Sequence, residues 1–268
     1  MTRPLSGLPL AEIPLPRAPL ARVIAQVRFP PILAIRNPES VAVFQEAIRA
    51  TYPILSEDRI QHMVLASAGT PDIREGRIWR FSDGEKKQWR ASLSVDFVAL
   101  ETSAYISRRD FLERLGVILV ALERAFKPAE AQRLGLRYID RLTDEAVGRI
   151  AELIRPKILG ILQPNKEPPL NLGGSVLHLL TEAQLLAEEG RILARWGSLP
   201  AAATYDPDAL EPVSKASWVL DLDMFTPEPQ RFANNELLAT ATRFSERIYS
   251  VFREMVTDEF LKFYGGEL

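Results

Sequence analysis

Two carboxylates alternate with apolar residues in Trp218-Val219-Leu220-Asp221-Leu222-Asp223-Met224-Phe225. Side chains of an extended strand alternate between faces. Asp221 and Asp223 therefore share one face, roughly 7 Å apart at their Cα atoms, while Trp218, Leu220, Leu222 and Met224 fill the other. Such a pair can hold Mg²⁺ through water and phosphate oxygens, as nucleases and phosphotransferases do. No third carboxylate with a lysine at a characteristic spacing accompanies it, and a half-solvated sheet face shows the same pattern. Strand arginines form a second group. Arg28 in Ala25-Gln26-Val27-Arg28-Phe29 corresponds to Arg137 in Gly135-Leu136-Arg137-Tyr138-Ile139, and Asp96 and Asp221 project from later strands. A planar guanidinium takes a carboxylate bidentately. The leading reading is a charged sheet face paired between the halves, with Arg137 buried or half-buried against Asp96 or Asp221. The alternative is a phosphate or carboxylate ligand gripped by Arg137 and Arg141.

A third group surrounds one hairpin, where Arg74, Arg77, Arg80, Lys86, Lys87 and Arg90 are interleaved with Trp79 and Trp89. Aromatics among cations suit stacking of single-stranded nucleic acid. Asp72, Glu75, Asp83 and Glu85 dilute that charge, however, and tryptophans alternating into a core produce the same pattern. The two histidines, His62 and His178, fall on separate strands. Each reads first as an edge histidine and second as a general base, and they do not make a zinc site. With no cysteine there is no thiolate nucleophile, iron–sulfur cluster or disulfide framework. Leu172-Gly173-Gly174-Ser175 is too short for a phosphate loop and lacks its lysine, and neither Gly-x-Gly-x-x-Gly nor Gly-x-Ser-x-Gly occurs. No cofactor is expected.

The elements that must position these residues follow from periodicity. Arg22 to Phe29 alternates as a strand and Pro30-Pro31 ends it. Asn37-Pro38-Glu39-Ser40 then starts a helix bearing Val41, Phe44 and Ile48, which stops at Tyr52-Pro53. Strands are predicted at Ile60 to Ser67 and Ile78 to Phe81, followed by a turn at Ser82 to Glu85 and one long strand from Gln88 to about Ala104. A helix over Arg109 to Phe126 carries the stripe Phe111, Leu115, Ile118, Leu119 and Leu122.

The order then begins again. Gly135 to Ile139 is a strand and Glu145 to Leu159 a helix. Strands follow at Ser175 to Leu180, Gln184 to Ala187, Arg191 to Trp196 and Ser217 to Phe225, then a long helix from Asn234 to Phe263. The predicted fold class is α+β: two similar subdomains, each strand–helix–antiparallel strands–helix, with mainly antiparallel sheets backed by helices. The expected division is a Pro-rich extended arm over 1–20, a first half over 21–130 and a second half over 131–268.

Specific words accumulate across this plan: Arg133-Leu134-Gly135-Leu136-Arg137-Tyr138-Ile139-Asp140-Arg141, Phe97-Val98-Ala99-Leu100-Glu101-Thr102-Ser103-Ala104-Tyr105 and Phe252-Arg253-Glu254-Met255-Val256-Thr257-Asp258-Glu259. Together with Val23 to Pro31 they resemble the motifs of a sporadically distributed bacterial and archaeal family without an established activity. The resemblance covers most of the chain beyond the arm. Such patchy occurrence implies horizontally moved genes with accessory or defence functions, and the motifs imply no particular chemistry.

Of 268 residues, 33 are Lys or Arg and 35 Asp or Glu, a formal net charge of -2, so no sequence-wide basic excess marks a nucleic-acid binder. The first nineteen residues carry Pro4, Pro9, Pro14, Pro16 and Pro19 and no signal-peptide core. The apolar stretch Leu115 to Leu122 is far short of the ~20 residues of a membrane span. A cytoplasmic protein without a membrane partner is expected. Phe260-Leu261-Lys262-Phe263-Tyr264 exceeds the apolar content that packing within the chain requires, which suggests a homo-oligomer contact through the C-terminal helix. The functional expectation is a non-enzymatic binding or adaptor protein that recognises another protein. The alternatives are a metal-dependent phosphoryl-transfer or nuclease-like enzyme using Asp221 and Asp223, and single-stranded nucleic-acid binding.

Overall fold

Alternating and helical patterns sort the chain into an α+β architecture, a large antiparallel sheet backed by helices. The computed structural model describes residues 5–64, 72–84, 86–162 and 176–268, with 60–64 and 72–75 described by their backbone. Two compact units divide the chain. The first comprises Ile24–Gly135 and Thr226–Ala241, the second Met1–Val23, Leu136–Phe225 and Thr242–Leu268.

In the first unit β1 (Leu20–Arg28) buries Ala25 and Val27, with Phe29 just beyond its end. Pro38 opens α1 (Pro38–Ile48), and Asn37 Oδ1 caps it by accepting from Glu39 N at 3.0 Å. The strands β2 (Ile54–Val64), β3 (Asp72–Ser82), β4 (Trp89–Ser94) and β5 (Phe97–Thr102) form an antiparallel meander, in the order β2-β3-β4-β5-β1. The single long strand predicted from Gln88 is therefore two. Ser94 pairs with Phe97 around a Val95-Asp96 turn that lacks the glycine by which such turns are recognised. Helix α2 (Arg108–Phe126) is capped by Ser107 Oγ and buries the predicted stripe. A two-stranded ribbon, β6 (Glu130–Ala131) with β11 (Gln230–Arg231), completes this unit.

The second unit has β7 (Arg133–Thr143), β8 (Leu179–Ala187), β9 (Gly190–Leu199) and β10 (Ser217–Phe225) in the order β7-β10-β9-β8. The two strands predicted between Ser175 and Ala187 are the one strand β8, and Ser175 with the glycine turn before it lies outside the described residues. The helix predicted over Glu145 to Leu159 is broken into α3 (Glu145–Gly148), α4 (Ile150–Leu153) and α5 (Pro156–Leu159). Gly148 and Pro156 interrupt it, and between α4 and α5 Ile154 forms a β-bridge with Val256. That bridge also divides the long C-terminal helix into α6 (Asn234–Met255) and α7 (Asp258–Phe263), where Thr257 Oγ1 caps α7 by accepting from Phe260 N at 3.2 Å. Phe260, Leu261 and Tyr264 are buried within this unit, so most of the apolar C-terminal segment is consumed there rather than presented outward.

The Pro-rich arm lies along the same unit. Ile13 N donates to Tyr249 Oη at 2.8 Å, and Arg17 donates from N and Nη2 to the carbonyls of Tyr264 and Phe263. Gly266 permits this approach, since a Cβ there would lie 2.8 Å from Leu15 Cδ2. Among the described residues no helix is long and apolar enough to cross a membrane.

Candidate functional site

Four strands of the second unit carry alternating charge at one level: Glu182 on β8, Arg195 on β9, Asp221 on β10 and Arg137 on β7. Strand register produces this ladder, because Arg195 is the direct partner of both Glu182 and Asp221. Arg137 presents Nε and Nη2 to Asp221 Oδ1 and Oδ2, both at 2.8 Å, and donates from Nη1 to Asp206 Oδ2 at 2.7 Å. Arg195 donates from Nε to Glu182 at 2.7 Å and from Nη1 to Asp221 Oδ2 at 3.4 Å. The loop over 200–216 supplies the remaining partners. Tyr205 Oη donates to Asp221 Oδ2 at 3.0 Å, and Asp206 is oriented by accepting from Ala209 N at 3.3 Å.

Burial acts to lower the pKa of Arg137, but the bonds and charges of Asp221, then Asp206, outweigh it and raise it. Burial followed by the Asp221 charge raises the Tyr205 phenol, which stays a protonated donor. Asp206 is held below the usual carboxylate range, because the Arg137 bond and charge outweigh its partial burial. Arg137 and Asp206 are thus each held in the charged form by the other.

This arrangement corrects the metal reading of Asp221 and Asp223. Asp221 is 0 % exposed, and its oxygens are occupied by Arg137, Tyr205 and Arg195. Oδ2 accepts three of these bonds and Oδ1 one, the group is closed off from solvent, and two guanidinia beside it repel a cation. Asp223 is half-buried opposite Leu193, and the described residues contain no group of three or more potential ligands around a common point. Arg137 is half-buried and paired with Asp221, one of the two predicted partners, but the pairing predicted between the halves is corrected. Arg137 is paired inside its own unit. Arg28 is exposed at the end of β1 and Asp96 sits in a turn rather than on a strand face, and neither enters an ion pair among the described residues. Arg141, two positions beyond Ile139 on the Arg137 face, donates from Nη1 to the Glu211 carbonyl. Its Nε and Nη2 are shut off from solvent and have no hydrogen-bond partner.

The Arg/Trp hairpin is not a stacking platform. Trp79 is 5 % and Trp89 4 % exposed; Trp79 Nε1 donates to the Ile35 carbonyl at 2.9 Å, and Trp89 packs on Phe111. Their accessible ring faces are covered by Arg77 and Arg114, whose guanidinia lie 5.0 and 4.3 Å from the ring centroids. Arg77 pairs with Glu57 at 3.0 Å, Arg80 with Asp58 and Arg90 with Glu101. Among the described side chains of the group, Lys86 and Lys87 are the exposed ones. The side chains of His62 and Arg74 lie outside the described residues, and His178 is exposed just ahead of β8.

A second feature of the same unit was not recognised from sequence. β8 is the last strand in its order, and among the described residues its outer edge meets only Leu5 of the arm. Leu5 bridges Ala187 in parallel, donating to Leu186 O at 2.7 Å and accepting from Glu188 N at 3.3 Å. A groove of about 400 Å³ opens beneath that edge, walled by Leu5, Ile158, Leu185, Trp196, Val251 and Met255. Trp196 Nε1 is bound to the Ile158 carbonyl at 2.9 Å, so its ring serves as apolar wall. The rim is charged and self-paired, Lys157 with Glu254 at 3.3 Å and Arg247 with Glu189 at 2.7 Å. The sequence signal, a half-exposed strand rich in leucine, was obscured by dividing it in two.

No protein-family model matches the chain and no curated protein matches it.

Proposed function

We propose that this chain is a non-catalytic protein-binding module that adds an extended segment of a partner protein to the outer edge of β8 and seats one of its apolar side chains in the groove beneath. The observation that carries the reading is the Leu5–Ala187 bridge, in which this edge already takes a parallel backbone. Leu186 O and Glu188 N point outward there, so by strand alternation the N–H and C=O groups of Glu182 and Gln184 point outward too. An added strand lies about 4.8 Å away with alternate side chains on the helix-facing side, where the groove is. The charge ladder fits this role as the rigid support of the sheet. The setting we propose is the accessory or defence-type bacterial system that the family resemblance implies.

The test is selection of displayed peptides on the purified chain. Selected peptides should share one apolar anchor position, lose at least about tenfold in affinity for Ala183→Phe, which fills the groove, and lose a similar amount when alternate backbone amides are N-methylated. An absence of enrichment, or equal binding by the filled variant, overturns the reading.

A separate reading concerns origin. The chain order strand, helix, antiparallel strands, helix occurs twice, and in each case the first strand lies beside the last strand of the meander, β1 beside β5 and β7 beside β10. This supports descent from one duplicated unit. Failure of Ala25–Phe29 and Gly135–Ile139 to occupy equivalent places when the halves are superposed would contradict it.

A further inference from the structure

Arg137 and Arg141 lie on one face of β7 and differ in what their guanidinia meet. The side-on fork of Nε and Nη2 matches two oxygens of a carboxylate or phosphate. Arg137 uses that fork on Asp221. The equivalent fork of Arg141 is closed off from solvent and meets no acceptor, although Nη1 of the same group is bound to the Glu211 carbonyl. Among the described residues the nearby acids are engaged elsewhere. The Glu211 carboxylate is 83 % exposed and lies 3.7 Å from Arg22, Asp206 and Asp221 are committed to Arg137, and Tyr205 donates its hydroxyl to Asp221. Asp140, next along the strand, lies on the opposite face. The side chain as a whole is half-buried, but these two nitrogens are closed off with no counter-charge beside them, and partial burial lowers the pKa.

We propose that Arg141 anchors a site for a small oxyanion beneath the 200–216 loop, taking two oxygens of one carboxylate or phosphate group on Nε and Nη2. Both atoms are shut off from solvent, so the site fills only with a local rearrangement around them. The site is independent of the β8 edge, on a different strand and on the face of the sheet opposite the groove.

The experiment is a titration of the full chain with inorganic phosphate and, separately, with acetate, each at constant ionic strength against chloride, reading the Arg side-chain Nε–H resonances and the melting temperature. The Arg141 Nε–H should move downfield to saturation and Tm should rise with it. Arg137 Nε–H should stay in place as an internal control, and Arg141→Met should abolish both responses. Saturation at the lower concentration with phosphate or with acetate distinguishes the two sources. A response linear in concentration, one that survives in Arg141→Met, or none with either anion means that water or nothing fills the fork, and the proposal is wrong. The wild-type resonance decides the matter even if Arg141→Met does not fold.

Discussion

Replacing Arg137 by Ala strands a carboxylate that is fully buried in the intact chain. Asp221 is 0 % exposed and would lose two bonds of 2.8 Å, keeping Tyr205 at 3.0 Å and the weaker Arg195 contact at 3.4 Å. Asp206, 30 % exposed, rehydrates and contributes little to the loss. Removing one partner of a buried pair costs about 3–5 kcal/mol. The two donors left on Asp221 place the expected loss at the lower end, about 3 kcal/mol, or a fall in Tm of ~6–12 °C for a chain of this size. Urea denaturation followed by tryptophan fluorescence, with calorimetry alongside, measures both. The double variant Arg137→Met/Asp221→Leu removes both charges and should recover about half of the loss or more, since apolar replacement of a buried pair is often neutral. If Arg137→Ala melts with the wild type but no longer binds a selected peptide, Arg137 is a recognition residue and the structural reading of the ladder is wrong.

Asp140, 6 % exposed, is pushed up to about 7 by burial alone. A carboxyl whose folded pKa exceeds its unfolded value stabilises the fold fully below about pH 4, and that contribution is lost as pH rises through 7. Relative to wild type, Asp140→Asn should therefore gain stability progressively between about pH 4 and 7, on the order of 4 kcal/mol at about 1.4 kcal/mol per unit; Tm against pH measures it, and a difference that shrinks with rising pH contradicts it. Gly197 has φ +150, and a Cβ there would lie 1.9 Å from the Leu179 carbonyl oxygen. Gly197→Ala should cost at least about 1–3 kcal/mol, detached from the rest by faster amide exchange confined to β8 and β9; unchanged exchange and stability would show that the edge adapts. Single-stranded oligonucleotide should leave the Trp79 and Trp89 fluorescence unquenched, and Lys86→Ala/Lys87→Ala should bind it no more weakly than wild type; salt-sensitive quenching would restore the nucleic-acid reading.

Residues whose neighbours are set by strand alternation were legible in the sequence. The period of two placed Arg137 and Asp221 on mid-strand positions, and the cost of an unpaired buried guanidinium then brought them together. Alternation also indicated that Trp79 and Trp89 enter a core. The third partners were not legible, because Asp206 and Tyr205 arrive from a loop whose path depends on the packed sheet and not on any local period. Asp96 was misplaced because a two-residue turn without glycine leaves no mark in an alternating run. Gly148 and Pro156 mark the breaks in the helix after β7, while the apolar spacing of its pieces runs on across them. The prolines of the arm specified an extended backbone, while its course along Tyr249, Phe263 and Tyr264 depends on contacts more than two hundred residues away.

The most direct test of binding at the sheet edge is amide hydrogen exchange at Glu182 and Gln184, with and without a peptide selected on the chain. Their outward-pointing N–H groups should exchange more slowly when the peptide is bound, with Leu185 methyl resonances shifting at the same occupancy. Unchanged exchange at both positions in a saturated complex would contradict strand addition at β8.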